Sequence, residues 1–178
     1  MSNRTAILDA AERRTRLGGY GGFSFRDIAQ DVGIKSSSVH YHFPTQEELG
    51  QAVAHRYVER LRDALGDPSA HSSKTALRSA VQLFIGANET DDLMCLCGIL
   101  GAESDFVPRE ISVRIAEYFS ELTSWLENVF DGDDARARAQ LVIVSLEGGM
   151  IMSRSSDDPN ILRSIAKQLE KTVLADKA

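Results

Sequence analysis

The segment SFRDIAQDVGIKSSSVHYHFPTQEEL, residues 24–49, predicts two short helices joined by a tight turn. Ser24 can cap the first helix, and Asp27, three residues later, can complete a capping box. Gly33 follows the apolar face of that helix, at a place where a sharply turning chain needs a positive φ. The second helix is expected from about Ser37 to Phe43. This spacing is typical of a helix-turn-helix.

The second of these helices has a polar outward face. Val39 and Phe43 lie four residues apart and must face the core, so Ser38, His40, Tyr41 and His42 are left largely outward. Taken singly, the serines could be a cap and a loop, and the histidines ordinary surface residues. Together, however, the hydroxyl groups favour anions and the ring side chains can reach phosphates or base edges. The pattern therefore favours double-stranded DNA as a partner.

The residues from about Thr5 to Val53 resemble the DNA-binding domain of the TetR family of transcriptional regulators. The resemblance rests on the following features: Ile7, Leu8 and Ala11 in a leading helix, the turn from Gly19 to Ser24, Asp27-Ile28-Ala29, Val32-Gly33-Ile34, and Tyr41-His42-Phe43 followed by Glu47-Glu48-Leu49. We expect a helix-turn-helix DNA-binding domain over residues 1–47 and a helical effector-binding and dimerisation domain over residues 48–178.

The resemblance implies which residues contact operator DNA. These are Arg26, Lys35, Ser36, Ser37, Ser38, His40, Tyr41, His42 and Gln46. Two of them depart from the usual pattern of the family. His40 stands where a tyrosine is more common, and Gln46 stands where a lysine usually touches phosphate, so we expect salt-dependent affinity to be weaker by about one phosphate contact.

Composition narrows the class of protein. The chain has 178 residues, 43% of them hydrophobic, which is enough for a packed core. Its net charge of −6 argues against a general nucleic-acid coat protein, although residues 1–50 hold equal numbers of basic and acidic residues. A locally neutral N-terminal region suits binding by fit at a specific site. No stretch approaches the ~18 apolar residues of a membrane span, so we expect a cytoplasmic protein without a membrane partner.

Strand signals are nearly absent, and glycine and proline punctuate helical periods instead. We therefore expect an all-α fold of about nine helices: an N-terminal three-helix domain, followed by a helical C-terminal domain. Beyond the first three helices, we expect helices from Thr45 to Leu65, from Ser72 or Ser73, from Leu93 to Ala102 after an acidic break at Asp91-Asp92, from Pro108 to Val129, from Asp134 to Arg154, and from Pro159.

The last two helices are the best candidates for a dimer interface. Reading an operator usually takes two copies about 34 Å apart, so a homodimer is expected. The first helix of the pair is rich in alanine and glycine, and the second carries a stripe of Leu162, Ile165, Leu169 and Val173. Both faces could instead serve only the core of the monomer. The resemblance implies dimerisation through these two helices.

The resemblance also implies a cavity for a small-molecule effector, which sequence alone would not show. Candidate lining residues are Phe84, Met94, Leu96, Leu100, Phe106, Tyr118, Phe119, Trp125, Glu147 and Met150. An aromatic stripe at helical spacing can equally be core. The expected function is a repressor that an inducer releases from its operator.

Two alternative functions stay open. Cys95 and Cys97 could sense electrophiles or oxidants, or they could be small buried hydrophobic residues; a disulfide between them is unlikely. The helical domain could also bind another protein while the N-terminal domain tethers it to DNA. An enzyme is not expected, because no phosphate loop, nucleophile elbow or metal-site spacing is present, and Glu147 is compatible with solvation or salt pairing. No cofactor and no metal are expected.

Overall fold

The computed structural model describes residues 2–90 and 93–174, without the side chains of residues 87–90. Over these residues the chain forms nine α-helices and a short 3-10 helix, Pro68–Ala70, and no strand. The helices are α1 Asn3–Gly18, α2 Phe25–Val32, α3 Ser36–His42, α4 Gln46–Leu65, α5 Ser73–Thr90, α6 Leu96–Ala102, α7 Arg109–Glu127, α8 Ala135–Ser156 and α9 Asn160–Val173. The all-α prediction is confirmed. The predicted acidic break at Asp91-Asp92 lies outside the described residues.

Local signals place the helix ends. The Ser24 side chain accepts a hydrogen bond from the Asp27 N–H, and the Asp27 carboxylate accepts one from the Ser24 N–H, so the predicted capping box is present. Gly33 ends α2 with φ of 73°, in the left-handed region that favours glycine. The helix that the sequence predicts from Leu93 begins at Leu96 in the structure, and residues 93–95 are not helical.

The described residues fall into two compact units. The first unit comprises Met1–Arg60 and Leu96–Glu117, and the second comprises Leu61–Cys95 and Tyr118–Ala178. Helices α4 and α7 therefore each contribute to both units, and α6 belongs to the first. The division at residue 47 or 48 that the sequence suggested stays a prediction.

The first unit contains the helix-turn-helix and an ionic network. Ile7, Ile28 and Val39, from α1, α2 and α3, are fully buried. Glu12 on α1 is also buried, and its carboxylate pairs with Arg56 at 3.0 Å and with Arg60 at 2.5 Å, both on α4. A buried carboxylate is stable only when it is paired and hydrogen-bonded, so this network fixes α1 against α4.

In the second unit, α8 and α9 pack closely together. A Cβ atom built on Gly149 of α8 would lie 2.8 Å from Cδ1 of Leu162, so only glycine allows this approach without a shift. Leu162, Leu169 and Val173 of α9 are all buried within the same chain. Most of the apolar stripe on α9 therefore belongs to the core of the monomer.

None of the helices in the part of the chain that the structure describes combines the length and apolarity needed to span a bilayer.

Candidate nucleic-acid interface

Helix α3 buries one side and exposes the other. Val39 has no exposed area and Phe43, just after the helix, is buried. Lys35, Ser37, His40 and Tyr41 are exposed, whereas Ser36, Ser38 and His42 are half-buried on the flanks of the helix. Arg26, on α2, is exposed as well. Eight of the nine predicted DNA-contacting residues thus lie on α2, on α3 or directly before α3.

The rings at the end of α3 differ in how firmly they are held. The Tyr41 ring is 83% exposed, and its contact with the His42 ring is edge-on, with 5.2 Å between centroids. The His40 ring packs edge-on against Phe25 of α2, at 4.6 Å. His40 is therefore oriented by the helix-turn-helix, while Tyr41 projects away from it and is accessible to a partner.

Ion pairing and capping hold the helix-turn-helix in shape. Arg14 of α1 binds Asp31 of α2 through two hydrogen bonds, Nε to Oδ2 at 2.5 Å and Nη2 to Oδ1 at 2.8 Å. The Arg14 guanidinium lowers the pKa of Asp31, and hydrogen bonds from the side chain and backbone of Ser24 lower the pKa of Asp27. Both carboxylates are ionised at neutral pH and fix the helices that carry the exposed residues.

Gln46 has a place that the sequence did not indicate. Its side-chain amide donates hydrogen bonds to the carbonyl oxygens of Tyr20 at 3.1 Å and of Phe23 at 3.5 Å. It therefore braces the turn between α1 and α2 from the start of α4. Its contact with DNA stays a prediction, and a contact through the same amide would have to replace these bonds.

Glu103 is a further residue of the first unit that sequence analysis missed. Its carboxylate Oε2 accepts a hydrogen bond from the Tyr20 N–H at 2.7 Å. Gly19, with φ of 78°, lies so close that an added Cβ atom would overlap this carboxylate. Glu103 is 83 residues from Tyr20 in the chain, so no local pattern could reveal the contact. Through it, the turn after α6 is tied to the helix-turn-helix.

The predicted effector-binding residues are divided between the units. Leu96, Leu100 and Phe106 belong to the first unit, whereas Phe84, Met94, Tyr118, Phe119, Trp125, Glu147 and Met150 belong to the second. Most of them are buried or half-buried, but Phe106 is 85% exposed. The expectation that Phe106 lies inside the helical domain is therefore wrong, because it occupies the turn after α6 and its ring reaches solvent. The other assignments stay predictions.

Trp125 has a partner at the end of α4. Its indole Nε1–H donates to the carbonyl oxygen of Gly66 at 2.8 Å, and its ring packs edge-on against His71 at 5.5 Å. An aromatic side chain that is engaged in this way holds the end of a helix and need not contact an effector.

Glu147 is the exceptional acid of the second unit. Both of its carboxyl oxygens are buried without a nitrogen or oxygen hydrogen-bond partner among the described residues. Burial and the neighbouring Cys95 thiol raise the pKa of Glu147 to about 10. The expectation of solvation or salt pairing is therefore wrong, and Glu147 is uncharged at neutral pH.

Cys95 and Cys97 are not joined in a disulfide, and both are buried. The Sγ atom of Cys95 lies 4.0 Å from the Tyr118 hydroxyl oxygen. Burial and the nearby Glu147 carboxyl do not favour a reactive thiolate at Cys95. A redox role for Cys95 or Cys97 stays a prediction.

An exposed recognition helix on a braced helix-turn-helix defines a DNA-binding protein of the helix-turn-helix class. Residues 7–53 match the family model for bacterial regulatory proteins of the tetR family, and residues 74–168 match that for the C-terminal domain of LmrA/YxaF-like transcriptional regulators. The chain therefore belongs to the TetR family of transcriptional regulators, which are not enzymes.

Two relatives from Bacillus subtilis (strain 168) extend over nearly the whole chain. YxaF, an uncharacterized HTH-type transcriptional regulator, is 26% identical over 94% of this chain and 93% of its own length. The HTH-type transcriptional regulator LmrA is 26% identical over 92% of this chain and 93% of its own length.

Solved structures share the fold. A TetR transcriptional regulator from Legionella pneumophila is 28% identical, with a TM-score of 0.89 over 97% of both chains. A TetR-family regulator from Agrobacterium tumefaciens is 25% identical, with a TM-score of 0.86 over 94% of this chain and 96% of that one.

Proposed function

We propose that this protein is a homodimeric repressor that binds a palindromic operator through α3 and leaves it when a small molecule binds in the second unit. The observation that carries the proposal is the projection of Tyr41 from a helix whose opposite side is buried in the core. In the free protein, exposure of the apolar Tyr41 ring to water is unfavourable. On DNA, the Tyr41 hydroxyl gains a hydrogen-bond partner at a phosphate or a base edge.

The exposed residues divide by their chemistry. Arg26 and Lys35 carry positive charge, so we assign them to phosphates, which set affinity and its dependence on salt. Ser37 and His40 are short or firmly oriented side chains that can approach bases closely, and we assign them to sequence recognition in the major groove. Tyr41 stands at the end of α3, where a phosphate contact fits best.

The outward face of α8 supports dimerisation. Leu141, Val144, Ile151 and Met152 are large apolar residues that are exposed along this helix. Their spacing places them on one face, and Gly148 lies among them with nothing within 4 Å of an added Cβ atom. A second copy that packs there would bury the apolar side chains and could approach closely at the glycine. Regulators of this family dimerise, so a second copy is the partner we assign to this face.

A series of connected residues supports control of the helix-turn-helix by an effector. Helix α6 starts directly after Cys95, whose thiol adjoins Glu147 in the second unit, and α6 itself belongs to the first unit. Glu103, just beyond α6, holds the Tyr20 N–H, and Gln46 holds the Tyr20 carbonyl. A ligand that displaces Cys95 would thus move α6 and the turn before α2. Coupling between two binding sites is reciprocal. The ligand would therefore lower the affinity of the protein for DNA by the same factor by which DNA lowers its affinity for the ligand.

The test is selection of DNA by the purified protein. Genomic fragments retained by the protein are sequenced, and the enriched duplex is titrated by fluorescence anisotropy against wild type and Tyr41→Ala. We expect a shared palindromic site and much weaker binding by the variant. Retention of fragments without a common site, or equal binding by both proteins, would contradict the proposal.

A further inference from the structure

Glu147 is buried at its acidic end and accessible along the rest of the residue. Both carboxyl oxygens have almost no accessible area and no nitrogen or oxygen partner among the described residues, yet the residue as a whole is only half-buried. Because the carboxyl oxygens themselves have almost no accessible area, a ligand contacts them only after a neighbouring side chain moves. For packing alone an apolar side chain would be better here, because an unpartnered buried carboxyl costs free energy.

One polar group from another element lies beside this carboxyl, and a second polar group lies beside the first. The Cys95 thiol, from the segment before α6, interacts with it as a weak hydrogen-bonding group. The Tyr118 hydroxyl, from α7, is 4.0 Å from the Cys95 sulfur, and the Tyr118 ring packs edge-on against Phe119 at 4.9 Å. Leu146 and Met150, neighbours of Glu147 on α8, have no exposed area. The result is a small polar centre in apolar surroundings.

The charge state of this centre limits what it can bind. With a pKa of about 10, the Glu147 carboxyl is neutral near pH 7 and offers one O–H donor and one carbonyl acceptor. Within the described part of the chain, burial and Cys95 are the influences that shift this pKa, and no cation is among them. An anionic ligand would find no positive partner there, and a permanent cation would require the carboxyl first to lose its proton in a buried site. An uncharged ligand with a donor beside an acceptor meets neither penalty.

We propose that the Glu147 carboxyl is the polar recognition point for the effector, and that the effector is an uncharged organic molecule that presents a hydrogen-bond donor beside an acceptor, as an amide does. This inference rests on the proposed function, from which it takes the binding of an effector in the second unit. Two hydrogen bonds to the carboxyl then satisfy both oxygens, and the apolar remainder of the ligand contacts the surrounding side chains.

The experiment compares three probes that share a ring and differ in the charge of the polar group: benzamide, benzylammonium and benzoate. Each is titrated by calorimetry into the full-length wild type, Glu147→Gln, Glu147→Leu and the control Glu110→Leu, which alters an exposed acid on α7. Circular dichroism and thermal melting establish that each variant is folded. Glutamine keeps a donor and an acceptor without a charge, so it separates recognition by hydrogen bonds from recognition by a negative charge.

We expect benzamide to bind wild type, Glu147→Gln and the control with similar affinity, and Glu147→Leu about tenfold more weakly. Preferential binding of benzylammonium together with its loss in Glu147→Gln would overturn the inference in favour of a cationic effector. Equal binding of benzamide by Glu147→Leu and wild type, preference for benzoate, or no binding of benzamide to folded wild type would also overturn it.

The same proteins are titrated with the operator duplex to separate this inference from the proposed function. If wild type binds the duplex and benzamide does not bind at Glu147, the inference fails and the regulator function stands. If wild type selects no DNA while the benzamide pattern is as expected, the proposed function fails and the ligand site at Glu147 stands.

Discussion

The two units of this protein differ in the partners of their buried acids and in the polarity of the residues on their outward helix faces. In the first unit, the buried Glu12 carboxylate is paired with Arg56 and Arg60, and the outward face of α3 is largely polar. In the second unit, the Glu147 carboxyl has no nitrogen or oxygen partner among the described residues, and the outward face of α8 carries large apolar residues. The first unit thus pairs its buried acid and exposes polar residues, whereas the second keeps a buried carboxyl without such a pair and exposes apolar residues.

The largest effect is expected from a charge on the outward face of α8. Val144→Arg should raise the dissociation constant of the dimer about a thousandfold, because each copy would bury a cation without a partner. Sedimentation equilibrium measures this. Val113→Arg is the matched control, because Val113 on α7 is also exposed, 48% against 63% for Val144, but lies off this face. Loss of the dimer in the control, or a stable dimer in Val144→Arg, would refute the interface.

The next effect concerns the paired acid of the first unit. Glu12→Leu should lower the free energy of unfolding by about 3 kcal/mol, because the buried Arg16 and the half-buried Arg56 would lose the carboxylate with which they pair. Urea denaturation measures the loss. Glu117→Leu, which removes an exposed ion pair with Arg114 at 3.0 Å, should cost less than about 1 kcal/mol. Similar losses in the two variants would mean that the Glu12 network does not brace the first unit.

A change at the end of α3 should affect function and leave stability unchanged. Tyr41→Ala should weaken operator binding about thirtyfold, or ~2 kcal/mol, since one phosphate contact and its ring packing are lost. His40→Ala should also weaken binding, but with some loss of stability because His40 packs on Phe25. Anisotropy titrations and thermal melts check both. A Tyr41 variant that binds normally, or that dissociates the dimer, would show that the division of roles between the units is wrong.

The last prediction is a pH dependence from Glu147, whose effect is small for each single pH unit. Its folded pKa of about 10 exceeds its ordinary value of 4.5, so the native state binds the proton more tightly than the unfolded state does. Stability relative to Glu147→Gln should therefore be highest at low pH and fall by roughly 1 kcal/mol per pH unit between about pH 6 and about pH 9. Cys95 and Tyr118, which adjoin this centre, are retained in both proteins. Parallel pH profiles of the two proteins would show that Glu147 is ionised in the native state.

Several helix ends can be predicted from the sequence because their signals are local. Ser24 with Asp27 and the glycine at position 33 determine their own backbone, and the structure confirms them. The stripe on α9 was equally clear in sequence, but periodicity shows only that a face is buried and not which helix covers it. Leu162 and Val173 are in fact buried within the monomer.

The surroundings of four residues that the sequence did not indicate depend on tertiary structure. Gln46 braces a turn more than twenty residues away, and Glu103 holds Tyr20 across 83 residues. Phe106 is a large apolar residue of the kind that cores contain, and yet it lies in an exposed turn. Glu147 resembles any helical acid in sequence, and only the packing of α8 shows that its carboxyl pairs with no cation of the described residues. Such properties arise from tertiary packing, which local patterns do not encode.

Footprinting of the selected operator by hydroxyl radicals, together with the mass of the complex, tests the central claim most directly. We expect two copies per duplex, with two protected half-sites about one helical turn apart, and protection that weakens symmetrically in Tyr41→Ala. A single protected site with one copy bound, or a footprint that Tyr41→Ala leaves unchanged, would contradict it.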